Sequence, residues 1–552
     1  MKNKLFYISA IIIMLFGVSC KDMLEEITYG NPTEEEFLKN PNNIILLVGQ
    51  SYSDLKWLHD HWGYWGINTL TSDECVNPTR MPGSHWADGG YWSGMNNHSW
   101  SPSSTAFENV WRQSMNGAIL CNKTIAILKR NKDIIPEKLY NQYLGELEVL
   151  RSYYFYTLFD SFGRIPYTEE FEDGNVPQLS AAEVWQKLVD CLERNAPNLP
   201  VITAGNRAMN YGRVTQGLAY SLLARLYLNA ESYGVTSTEN NYSKCVDACQ
   251  KVIESGSYII EPDFFSNFKI LNENSRENIF VIVEVGDPDK IPVQSIGSMS
   301  SKLRITLLTL HYCHQQAWDM IEKPWNGFCA PPEFLAKYSD NDIRGAGTEG
   351  QGTNNVGTYG WFLGPIYDKE GTTILKDENG TPAVIVREVT SLTAATWNDG
   401  ARFLKYEVDK EKKYQYCEND FVLFRYADVL YMQAEAFVRG GTSSTGASLG
   451  ALLASPDFQM IRTRAGLEPY THFSDYNEIL DERGREFAWE NVRRRDLIRF
   501  GKFADGSWEG WGSWRGVRSG NHLNWFPIPL PILERAVRDE NGNPIWTQND
   551  GY

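Results

Sequence analysis

GELEVLRSYYFYTLFDSFGRIPYTEE, residues 145–170, decides the fold. Leu147, Leu150, Tyr154 and Leu158 recur at spacings of three and four, the period of one helix face. Arg151 and the interleaved aromatics share that spacing, so they are expected to lock this helix against the next. Working outward, Leu218, Leu222 and Leu226 repeat the pattern around Ala219 and Ala224. Residues 181–193 and 242–254 read as further amphipathic helices, with Pro136, Pro166, Pro177 and Pro262 in the connections. A second helical region begins with the stripe Leu423, Tyr426, Leu430, Ala434 and Phe437. After a Gly/Ser/Thr loop, helices are expected near 449–464 and 476–502. Paired helices with small residues at their contacts predict a mainly α, tetratricopeptide-like scaffold of stacked helical hairpins. No clean 34-residue repeat is visible.

Between these regions the texture changes. Residues 57–104 and 286–420 are rich in Gly, Pro, Asn, Asp and Trp with little helical period, and only 278–285 and 383–389 read as short strands. Long irregular segments of this aromatic content predict functional loops rather than disorder. The expected organisation is a helical scaffold, mainly 104–256 and 421–503, carrying long irregular ligand-binding loops. The run from Glu482 to Arg499 alternates sign, which suits ion-pair networks in which Glu486 and Glu490 meet Arg493 or Arg494.

The first twenty residues, MKNKLFYISAIIIMLFGVSC, carry Lys2 and Lys4 ahead of an apolar stretch shorter than the roughly 20 residues of a membrane span. Gly17-Val18-Ser19-Cys20 resembles the lipobox of bacterial lipoproteins, which implies a signal peptide over 1–19 and lipidation of Cys20. Two or more acyl chains, at about 0.8 kcal/mol per buried CH₂, would anchor residues 20–552 as a single membrane-bound domain. The acidic residues that follow resemble the export tag of surface-exposed lipoproteins, so an outer-membrane address facing the cell exterior is expected. Losing the two lysines takes the formal charge from −17 to −19, which repels phosphate backbones and excludes nucleic acid as a partner. The other eight cysteines include no CxxC pair; Cys245 and Cys249 share a helix face, read as core packing.

Several segments, in this order, resemble the SusD/RagB family: the lipobox; Thr71-Ser72-Asp73-Glu74, Pro78-Thr79-Arg80 and Trp86-Ala87-Asp88-Gly89-Gly90; WRQSMNGAILCN (111–122); residues 145–170; RVTQGLAYSLLARLYLNA (213–230); FRYADVLYMQAEA (424–436); RTRAGL (462–467); ERGREFAWENVRRRDLIRFGKF (482–503); and Trp525-Phe526-Pro527-Ile528-Pro529. The resemblance implies an outer-membrane lipoprotein that captures nutrients and hands them to a SusC-like TonB-dependent transporter. It implies no catalysis.

A saccharide offers C–H faces that pack on aromatic rings and hydroxyls that need planar polar groups. Residues 57–104 have the matching texture, with Trp57, His59, His61, Trp62, Tyr64 and Trp65 followed by Trp86, Tyr91, Trp92 and Trp100 among Asp73, Asn77, Arg80, Asp88, Asn96 and Asn97. The family's mid-chain loop would add Trp318, Trp325 and Trp361. The residues expected to hold an oligosaccharide are Asp73, Arg80, Trp86, Trp92, Trp100, Trp318 and Trp325. Scaffolding is the alternative for Asp73, Arg80 and Trp86, which match a pattern common to the family.

No cofactor is expected; a structural calcium ion is compatible with the sequence but written in no motif of it. The rival readings are a surface glycoside hydrolase, which needs two carboxylates about 5–10 Å apart, a peptide binder, and a mainly structural transporter lid. Gly446-Ala447-Ser448-Leu449-Gly450 fits a nucleophile elbow but lacks the preceding strand, so Ser448 is expected to cap a helix. Residues 345–350 spell G-x-G-x-x-G without flanking strand and helix, and His311 and His314 lack a partner at metal spacing.

Overall fold

A computed structural model describes residues 33–83, 86–171, 176–236, 240–285, 304–345, 359–408 and 418–552. The expected signal peptide, Cys20 and most of the G-x-G-x-x-G stretch lie outside these residues. Two 26-residue helices, Thr105–Arg130 and Glu137–Phe162, form the first hairpin. They approach closely because Gly117 faces the Tyr154 ring, where a Cβ would sit 2.2 Å from a ring carbon. Arg151 does lock the pair to its loop, donating to Asn122 Oδ1 (2.9 Å) and to the Glu169 carbonyl (2.9 Å).

The helices then stack in series. Ala181–Asn195, opened by a Ser180/Glu183 capping box, packs on Glu137–Phe162 and on Gln216–Leu228. Gln216–Leu228 packs on Asn241–Glu254, and that helix on Tyr426–Val438, from far along the chain. Cys245 and Cys249 lie buried in this last contact. The result is the mainly helical fold expected, with few short strands. Asn278–Ile282 pairs antiparallel with Phe421–Arg425, and Gly360–Phe362 with Arg402–Leu404, which ties the loop-rich segments to the scaffold. Among the described residues no helix is long and apolar enough to cross a membrane.

Three local expectations change. The helix expected near 449–464 is broken into Leu449–Leu453, capped by Ser448, and Pro456–Thr463, capped by Ser455, because Pro456 belongs at a helix start. The helix expected over 476–502 divides into Tyr476–Glu486 and Arg493–Arg499, since Trp489 (φ 62°) and Asn491 (φ 65°) turn the chain through the left-handed region. The loop-like 57–104 segment contains short helices at Leu55–Leu58, Tyr64–Thr69 and Tyr91–Asn96.

The charged run forms ion-pair networks, partly within itself, Arg485 with Glu482 and both Arg483 and Arg499 with Asp496, and partly with distant partners. Arg425 reaches Glu277 (2.5 Å), Glu486 (3.0 Å) and Glu490 (2.8 Å). Glu486 also meets Arg344 and Arg464, while Arg493 pairs with Asp73 and Arg494 with Asp160. Burial by itself would raise the Glu486 carboxyl, but Arg464, Arg425 and Arg344 outweigh it and hold it down at about 2.

Candidate functional site

The candidate site grows from two loop segments stitched side by side. Val76 and Cys329 exchange backbone hydrogen bonds of 2.9 Å, and Thr79 bonds to Leu392 (2.8 Å) and Ala395 (3.0 Å). Arg80 fastens the seam. Its Nε donates to the Asn326 carbonyl (2.7 Å), Nη1 to the Thr396 and Asp399 carbonyls (both 2.8 Å), and Nη2 to the Gly327 carbonyl (3.0 Å) and Cys329 Sγ (3.3 Å). Arg402 adds bonds to Asn326 Oδ1 and the Trp397 carbonyl. The two guanidiniums therefore set the backbone at Asn326 and Gly327, directly after Trp325.

Asp88, Gly89 and Gly90 all take positive φ (45°, 65° and 85°), a tight left-handed turn that starts the helix Tyr91–Asn96. Asp88, exposed at the turn, accepts the Trp92 indole N–H at 2.6 Å.

The rings gather around His61. Tyr91 and Trp62 lie 5.0 Å apart, Trp62 and His61 5.9 Å, His61 and Trp86 5.6 Å, and Trp86 and Trp325 5.1 Å. Trp92 and Phe328 form the buried floor, while Tyr91, Trp62, Trp86 and Trp325 stay partly exposed. Tyr312, bonded to the Trp86 backbone and covered on one face by Lys323 at 4.5 Å, continues the arc. The surface so formed is an arc of aromatic edges and faces with Asp88 at one end. It has the shape and chemistry to stack sugar rings and hold hydroxyls.

Of the seven residues expected to hold the ligand, the structure brings Trp86 and Trp325 together in this arc. The other five, and Trp361, turn inward. Asp73 is fully buried in a bidentate pair with Arg493, both bonds 2.7 Å. Arg80 spends every donor on the seam, and Trp92 is floor. Trp100 donates to the Tyr552 hydroxyl (2.9 Å) beneath Phe526, and Trp318 packs on His314 at 4.4 Å. Trp361 stacks in the core on Phe403 at 3.9 Å. None of these six offers a ligand-facing surface here, because neighbours from distant segments cover them. Trp62, Tyr91, Asp88 and Tyr312 complete the site instead. The first three lie in the aromatic segment already flagged by its texture; Tyr312 carried no signal beyond its place in the mid-chain loop.

Two clefts lie apart from the arc. One of about 370 Å³ runs between the helix Pro41–Gln50 and Val281–Val283, and one of about 430 Å³ lies beside Trp525. His311 and His314 are buried, and no group of three or more metal-ligating side chains occurs among the described residues.

The chain belongs to the SusD/RagB family, whose members bind their ligands without catalysing a reaction. A model described as the SusD family matches residues 309–524, and one described as starch-binding associating with the outer membrane matches residues 63–228. The chain is 23% identical over 508 residues to the starch-binding protein SusD of Bacteroides thetaiotaomicron, covering 88% of this chain and 85% of that one. It is 26% identical over 524 residues to the SusD-like protein P38 of Formosa agariphila, covering 91% and 92%. Its fold matches surface glycan-binding protein A of Bacteroides thetaiotaomicron, solved in complex with laminarihexaose, with a TM-score of 0.70 at 22% identity over 92% of this chain and 99% of that one.

Proposed function

We propose that this protein is a lipid-anchored outer-membrane lipoprotein that captures an oligosaccharide at the aromatic arc and delivers it to a SusC-like TonB-dependent transporter. The observation that carries the reading is the arc itself: four partly exposed rings from two loop segments, supported from beneath by buried rings and fastened by Arg80. The names of the relatives, a starch binder and a glycan binder solved with laminarihexaose, support a saccharide as ligand. The expected anchor at Cys20 would hold the site at the membrane where a transporter works. Affinity need only be modest, since release is part of the task; a millimolar Kd corresponds to about −4.1 kcal/mol.

The test is calorimetric titration of the soluble chain, starting after Cys20, with an oligosaccharide panel and product analysis of each mixture. Binding of intact sugar, with co-purification of a SusC-like partner, supports the proposal. Shortened sugar would replace it with hydrolysis. Silence across the panel together with no transporter partner would overturn it, and silence with such a partner would leave a peptide binder or a structural lid.

A further inference from the structure

We infer that Asn77 and His61 form a covered polar subsite beneath Trp86, built for neighbouring uncharged hydroxyls of a sugar ring; the inference rests on the saccharide reading above. Asn77 is fully buried and its backbone is pinned, the N–H donating to Asn96 Oδ1 (3.0 Å) and the carbonyl accepting from Ser93 Oγ (3.3 Å). Yet neither end of its carboxamide has a hydrogen-bond partner among the described residues. Other buried atoms of this segment are open too, among them Asn68 Oδ1, Thr69 Oγ1 and Glu74 Oε1, but Asn68 and Glu74 each keep a bond through their other polar atom. The adjacent Asn96 donates to the Leu70 and Cys75 carbonyls, and Arg80 uses every donor it has. Among the described residues Asn77 is the one buried carboxamide open at both ends, and such a group asks for a partner.

Trp86 is the cover. It lies against Gly327, where a Cβ would sit 2.4 Å from the indole ring and 3.1 Å from Asn77 Oδ1, so ring and carboxamide share the space that the glycine leaves. His61 stands 5.6 Å from the same indole at 73° to it. It is 3% exposed; Nδ1 lies against the Asp60 carboxylate, and neither ring nitrogen has a hydrogen-bond partner among the described residues. Nε2 is therefore open to a hydroxyl, as donor or acceptor according to the tautomer. The subsite thus presents the donor and acceptor of a planar amide, and one open imidazole nitrogen. That set matches adjacent hydroxyls on a pyranose ring. A tryptophan resting on a glycine can turn aside, so the sugar that stacks on Trp86 and Trp325 would displace the indole edge and bond what lay beneath.

The experiment compares wild type with Asn77→Leu, a side chain of similar size without polar atoms. The probes are laminarihexaose and maltohexaose, by calorimetry, with thermal unfolding of each free protein. The expected result is an unchanged or higher Tm for the variant, because no bond is lost in the free protein, and at least a tenfold weaker Kd for the sugar that wild type binds. Wild-type affinity in the variant, or a Tm several degrees lower, would overturn the inference. Should leucine prevent folding, Asn77→Ser is expected to fold and show the same loss of affinity. If wild type takes neither sugar, the saccharide reading fails for these probes and the subsite falls with it.

Discussion

Glu74 gives the stability of this protein an unusual pH dependence. The side chain is fully buried; Oε2 accepts the Trp489 N–H at 2.9 Å and Oε1 has no hydrogen-bond partner among the described residues. Burial pushes its carboxyl from 4.5 up to about 8, the Trp489 bond offsetting this only in part and the neighbouring Asp73 adding to it. The folded state therefore holds this proton more tightly than the unfolded chain. The stabilising contribution is complete below pH 4.5 and is lost as pH rises through about 8. A gap of about 3.5 pH units at 1.36 kcal/mol each sets an upper bound of about 5 kcal/mol. Glu74→Gln removes the titration and can keep the Trp489 bond through its amide oxygen. Denaturant unfolding of wild type and variant from pH 4 to pH 9 should show the variant gaining on wild type by up to about 1.4 kcal/mol per pH unit across that window. A difference that stays constant with pH would refute the reasoning.

Arg425→Met leaves Glu277, Glu486 and Glu490 facing one another without their shared cation, and breaking a buried pair in this way costs about 3–5 kcal/mol. Thermal unfolding checks it, and a loss under about 1 kcal/mol would count against it. Gly117→Ala drives a methyl into the Tyr154 ring and should cost about 1–3 kcal/mol by the same measurement. Trp62→Ala and Trp325→Ala should each weaken oligosaccharide binding about tenfold, roughly 1.4 kcal/mol, with the circular dichroism spectrum unchanged; equal affinity would remove that ring from the site. At low pH the carboxyls of Glu435 and Asp428, both held at about 2 by arginines against the opposing effect of burial, lose their contribution as pH falls through that value, so unfolding should steepen there.

The helices were legible because their signal is local. Leu147, Leu150, Tyr154 and Leu158 share a face whatever surrounds them, and Ser448 caps a helix through a hydrogen bond only three residues long. The charged run from Glu482 was legible as structural for the same reason: its acids and bases alternate too closely to leave a free patch. The aromatic segment 57–104 also announced itself, through composition alone.

Which aromatics face outward was another matter. Trp92 and Trp86 sit six residues apart in one aromatic segment, yet one is floor and the other rim. Trp92 is covered by Trp62, Tyr91 and Phe328, and Trp100 by Phe526 and the C-terminal Tyr552. Asp73 finds Arg493 420 residues away. A loop without a period assigns no face to its side chains, so burial there is set by whatever segment arrives from elsewhere in the chain. The sequence by itself determined a helical scaffold with aromatic loops; the tertiary structure decided which rings remain on the surface, because only the folded chain brings up the neighbours that cover the rest.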